Sequence, residues 1–120
     1  MNDRELLELA AKAAGIELKW HHSHNDAYAR RNGEYWAVWN PLTDDGDALR
    51  LAVALNLQVE ADSFNGDTIV VGNLAIGRLL ECVTEPHNDD PYAATRRAIV
   101  RAAAEIGKAH SAASIGKEMK

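Results

Sequence analysis

Apolar residues at the start of the chain fall three and four positions apart. Leu6, Leu7, Ala10, Ala13 and Ala14 share one side of a helix expected over about residues 3 to 14. Asn2 is its expected N-cap, with Glu5 three positions further on, and Gly15 is the residue that stops it. The period then shortens to two. In "IELKWHH", Ile16, Leu18 and Trp20 alternate with Glu17, Lys19 and His21, which predicts a first strand with one face covered. "SHNDAYARRNG" mixes turn formers and charge without a period and is expected as a long exposed loop. "EYWAVW" then returns to extended structure, with Trp36 and Val38 on one face and Tyr35, Ala37 and Trp39 on the other.

Pro41 ends that second strand. A second helix follows, with Thr43 as expected cap, Asp44, Asp45 and Asp47 in the first turn, and Ala48, Leu49, Ala52, Val53 and Leu55 as its expected buried stripe. "LQVEAD" and "TIVVG" are strand-like runs on either side of Asn65 and Gly66, a hairpin signature. A turn containing Gly72, Asn73 and Gly77 leads to a further strand, "RLLECVTE". The third helix opens with Asp90 as cap and Pro91 in first position, and presents Ile99, Val100, Ala103 and Ile106 on one face. The order is helix, two strands, helix, three strands, helix, which is an α+β domain around a largely antiparallel sheet. Residues 1 to 109 are expected to form it as a single domain, and the small and polar residues 110 to 120 to fray.

Composition narrows the function classes. The chain has 120 residues, 47% of them hydrophobic and 26% charged, with no apolar run near the roughly 18 residues of a membrane helix. "MNDRELLELAAKAAG" has neither the basic nor the apolar region of a signal peptide, so a cytoplasmic location and no membrane association are expected. Cys82 is the only cysteine, which excludes an internal disulfide and a multi-cysteine zinc site. The net charge of -5 comes without any basic run, and nucleic acid is not expected as a partner.

Three stretches, "RELLELAAKAAGIEL", "WNPLTDDGDALRLAVALNL" and "DPYAATRRAIVRAAAEIGKA", together resemble the phage ABA sandwich domain, a family of small phage and prophage proteins. The central stretch, with Trp39, Asn40, Pro41, Leu42 and Asp47, is the most specific part. The resemblance implies a three-layer α-β-α sandwich and a viral or prophage origin, hence the cytoplasm of a bacterial host. It implies no activity and transfers no functional residue.

Four features carry candidate chemistry. In "WHHSHND", His22, His24 and Asp26 would project from one face if the strand continued, and two histidines with a carboxylate can ligate zinc or iron. Serine, asparagine and aspartate at 23, 25 and 26 instead favour a solvated strand end. The expected strand directions gather Asp44, Asp45, Asp47, Asp67, His87, Asp89 and Asp90 at the opposite end of the domain, as a divalent-cation site or, in the reading preferred here, as caps of two helix N-termini. Gly72 and Gly77 have the spacing of a P-loop, but Arg78 and Leu79 stand where the lysine and hydroxyl are needed, which leaves a tight turn. Cys82, within the expected strand, reads as a buried small residue rather than a nucleophile.

Aromatic residues are the fifth feature. Trp20, Tyr28, Tyr35, Trp36 and Trp39 crowd into twenty positions, and any not covered by helices would mark a ligand or partner surface made of Tyr28, Tyr35, Trp36 and Trp39. Arg97, Arg101 and Lys108 form a basic stripe expected to be a solvated face. The reading this supports is a non-enzymatic phage accessory protein that engages a protein partner or a small ligand, with no cofactor indicated. The alternative is a metal-dependent hydrolase built on His22, His24 and Asp26. An exposed sheet edge or the aromatic group would also support a homodimer.

Overall fold

Local rules at the N-terminus are met to the residue. Helix α1 spans Asp3–Ala13, the Asn2 side chain accepts the Glu5 amide at 2.9 Å, and its own amide donates to the Glu5 carboxylate at 3.2 Å. Gly15 ends it at φ +69°, in the left-handed region that costs glycine nothing. The structure, a computed structural model, describes residues 2–21, 26–31, 33–75, 78–79 and 82–118, with the backbone alone at 74–75, 78–79 and 111–118.

The α+β class, the three helices, and the alternation of helices with two groups of strands are as the sequence predicts. Every strand pairing among the described residues is antiparallel. Pairing is nonetheless divided among three groups. Strands β1 (Glu17–His21), β2 (Asp26–Arg30) and β3 (Ala37–Val38) form one three-stranded sheet in that order. After α2 (Asp45–Ala54), strands β4 (Gln58–Asp62), β5 (Asp67–Val71) and β8 (Val83–Pro86) form a second, with β5 in the middle. Between them in sequence, β6 (Asn73–Ala75) and β7 (Arg78–Leu79) make a two-stranded ribbon.

The structure departs from four expectations. The stretch expected as a long loop contains β2, registered on β1 from Glu17 opposite Arg30 to His21 opposite Asp26. Its alternation is hidden because the inward residues are Ala27 and Ala29, too small to register as an apolar period. The expected "RLLECVTE" strand is split into β7 and β8. Cys82 precedes β8 and is exposed rather than buried in a strand. The second strand is also shorter than expected: Trp39 donates its amide to Ala27, but Asn40 turns its amide to Asp47 at 3.0 Å and Pro41 has none to give.

Helix α3 (Pro91–Glu118) is the centre of the molecule. It starts as predicted, with the Asp90 carboxylate accepting the amides of Tyr92 and Ala93, both at 3.1 Å. Ile99, Val100, Ala103 and Ile106 are buried, and so are Ala98, Ala102 and Ala104, because α3 packs on β5 and β8, on α1 and on α2. Small side chains on several sides let these neighbours approach closely. Gly107 marks the tightest point, where a Cβ would meet the Leu9 backbone.

The cap of α2 is Asp44 and not Thr43. Its carboxylate accepts the Asp47 amide at 2.8 Å, while the Thr43 hydroxyl only reaches the Asn40 carbonyl at 3.4 Å. Asp44→Ala is therefore expected to lower stability by about 1 kcal/mol in urea denaturation, and Thr43→Ala by less than half of that. Equal effects would return the cap to Thr43.

Candidate functional site

The most distinctive sequence, "WNPLTDDGD", is a self-bonded turn that fixes the start of α2. Asn40 accepts the Leu42 amide on its side chain and the amides of Thr43 and Asp44 on its carbonyl. Asp47 accepts from Asn40 and from Arg50, at 3.0 and 2.7 Å. Arg96 of α3 then clamps the turn, donating to the Leu42 carbonyl at 2.8 Å and to Asp45 at 2.6 Å. Trp39 and Pro41 are buried beneath it. These acids serve as helix caps and ion-pair partners, which accounts for their number at this end. His87, Asp89, Asp90 and Thr43 border one depression here, yet among the described residues no group of three or more His, Cys, Asp or Glu side chains is placed to hold a metal ion.

Of the histidine cluster, His22 and His24 lie outside the described residues. Asp26 opens β2 and is exposed, opposite His21 in the register. His21 in turn has its ring 6.0 Å from that of Tyr28.

The aromatic residues are separated by the sheet. Trp39 belongs to the core. Tyr28 is half-buried on the outer face of β2, between Lys19 of β1 and Val38 of β3. Trp36 is flanked by two cations, Lys19 at 5.0 Å and Arg30 at 4.7 Å from its ring centre, and Arg4 covers Trp20 at 4.6 Å. Tyr35 alone is left open, at 95% exposure. The basic stripe of α3 is likewise engaged: Arg97 pairs with Asp3 of α1, Arg101 with Glu85 of β8, and Lys108 with Glu105.

A different surface remains uncovered, and sequence reasoning missed it. The buried side of α2 is formed by Ala48, Leu51 and Ala52, whereas Leu49 and Val53, expected in the core, are 65% and 72% exposed. Leu49 and Ala52 form one wall of a groove of about 440 Å³. Val59 and Ala61 of β4 form the opposite wall, and Tyr92, Thr95 and Ile99 of α3 contribute to its lining. Tyr92 is 71% exposed at one end of it. Against its α3 side a buried polar relay is fixed, with the Thr68 hydroxyl 2.8 Å from His87 Nε2 and 2.7 Å from the Thr95 hydroxyl. His87 is further held by its amide, which donates to Gly66 at 2.8 Å. The available signal was α2 itself: from Ala48 to Leu55 only Arg50 is polar, so two apolar faces exist and one helix cannot bury both against α3.

Comparison with family models, with curated proteins and with solved structures gives no match for this chain.

Proposed function

We propose that the chain is a non-enzymatic binding module, a phage or prophage accessory protein, that engages a protein partner through the groove between α2, β4 and α3. The observation that carries this reading is the exposure of Leu49 and Tyr92 in a groove whose lining is mainly apolar, with exposed Val53 one helical turn beyond Leu49 on α2. Contiguous exposed apolar surface of this kind costs solubility and is kept where a partner covers it. The aromatic face of the first sheet is the weaker candidate, since its tryptophans already have cations or core as neighbours.

Affinity capture from an extract of the source cell, repeated with variants, tests the reading. The double variant Leu49→Asp and Val53→Asp is expected to retain the thermal unfolding midpoint and to lose specifically captured partner by about tenfold or more, the scale of a lost interface hot spot. Tyr35→Ser is expected to retain it. Capture by the groove variant at the wild-type level, or its loss on Tyr35→Ser alone, would move the interface to the first sheet.

A further inference from the structure

The groove has an open strand along one wall. β4 is the terminal strand of its sheet, bonded to β5 on one side, and it is solvent-exposed from Gln58 to Ala61. Its other edge carries backbone donors and acceptors spaced for one more strand. An edge of this kind is normally blunted by charged side chains, lysine above all, by proline, a bulge or a cover, and the only charges on β4 are the acids Glu60 and Asp62. β4, "QVEAD", has no lysine or proline, and its register with β5 runs without a shift from Gln58 opposite Val71 to Asp62 opposite Asp67.

The two faces of β4 specify what would lie beside it. Val59 and Ala61 point to the α3 side, opposite Val70 and Thr68, and line the groove. Gln58, Glu60 and Asp62 point to the outer face. There Asp62 stands directly opposite Asp67, a like-charge pair that is unfavourable in a sheet. The Asn65 backbone amide and side chain, with the Phe64 amide, hold the Asp62 carboxyl below the usual carboxylate range, so it stays charged. Among the described residues none of Glu60, Asp62 and Asp67 has an ion-pair partner. A second copy of the chain is a poor occupant. Two-fold antiparallel pairing of β4 with itself places Glu60 and Asp62 of both copies on one face, and adds four carboxylates with no cation.

We propose that β4 is a docking edge for an extended peptide whose alternate residues are apolar and basic, the apolar ones entering the groove beside Val59, Leu49 and Tyr92 and the basic ones lying beside Glu60 and Asp62. This rests on the groove as the binding surface and names the partner's conformation and charge. Main-chain hydrogen bonds to β4 supply affinity independent of sequence, and the alternation supplies specificity.

The probe is a labelled heptapeptide of alternating lysine and valine, compared with one of alternating glutamate and valine and with a block peptide of the lysine–valine composition. Anisotropy is read against protein concentration, and hydrogen exchange is followed over Gln58–Asp62. The alternating basic peptide is expected to bind, to slow exchange in β4, and to bind about tenfold more weakly to Glu60→Lys. Thr84→Lys, on the same face at the far strand β8, is expected to change affinity by less than about twofold, and controls for a positive charge added to this face away from the edge. Equal binding of the acidic or the block peptide, unchanged affinity in Glu60→Lys, or no slowing of exchange overturns the proposal. So does a dimer in light scattering that protects β4 without peptide, which would make a second copy the occupant. If the peptide fails while Leu49→Asp with Val53→Asp still abolishes capture of the natural partner, the groove reading stands and strand addition alone falls.

Discussion

Gly107→Ala is expected to destabilise the protein by about 2 kcal/mol or more, although alanine is the better helix former. Two effects of opposite sign act at this position. Within a helix, exchanging glycine for alanine gains about 1 kcal/mol. Against this, the new methyl group would overlap the Leu9 carbonyl oxygen and stand 2.9 Å from its carbon. Those atoms belong to helical backbone, so neither can swing aside as a side-chain tip would. Relief requires α1 and α3 to move apart along their shared interface, loosening Leu6, Leu7 and Ala10. Overpacking of this kind costs about 1–3 kcal/mol and more where backbone must shift, which outweighs the propensity gain. Urea denaturation of the two proteins is sufficient. A Gly107→Ala protein as stable as the parent would mean that the helices do not cross this closely.

The second large effect separates the two apolar faces of α2. Leu51 is 1% exposed, among the largest fully buried side chains of the fold, and Leu51→Ala should cost about 3 kcal/mol through lost burial and the cavity left behind. Leu49→Ala, two positions away, should cost less than about 0.5 kcal/mol, because its side chain is already largely in water. Both variants have the same chemistry and the same helical host, so their difference reports orientation alone. Similar costs at both positions would mean that Leu49 is covered in solution, either by rotation of α2 or by a partner copy. Protein concentration distinguishes these two, since only the latter makes Leu49→Ala concentration-dependent.

α2 also shows where sequence reasoning reaches its limit. Ala48, Leu49, Ala52 and Val53 satisfy the helical period as well as Ala48, Leu51, Ala52 and Leu55 do, and the period alone cannot rank them. Tertiary packing on α3 chooses the second set, whereas the expected stripe was the first set together with Leu55. Where one pattern dominates, the sequence was enough: α1 with its cap, the hairpin at Asn65 and Gly66, and the inward face of α3 are all as expected. β2 was hidden for another reason, since its inward positions are alanines and its outward ones are Asp26, Tyr28 and Arg30, a contrast too weak to declare a strand. The groove was not legible, because it depends on three elements meeting in space. The acids around it were legible only as charge. The sequence does not distinguish Asp44 and Asp47, which cap and brace α2, from Glu60, which has no ion pair among the described residues.

Arg97 of α3 grips Asp3 of α1 across 94 positions of sequence. Helix α1 has thus its main packing partner at the far end of the chain, while its contacts with nearby β1 are few. During synthesis it leaves the ribosome before α3 and waits, with Leu6 and Leu7 uncovered, until α3 follows. Closing so long a loop is entropically costly and slow, so the two sheets can assemble locally before the helices do. Release of α3 then becomes the event that lets α1 join the sheets. Any nascent chain arrested before that point would present the apolar face of α1 to the chaperones of the cell.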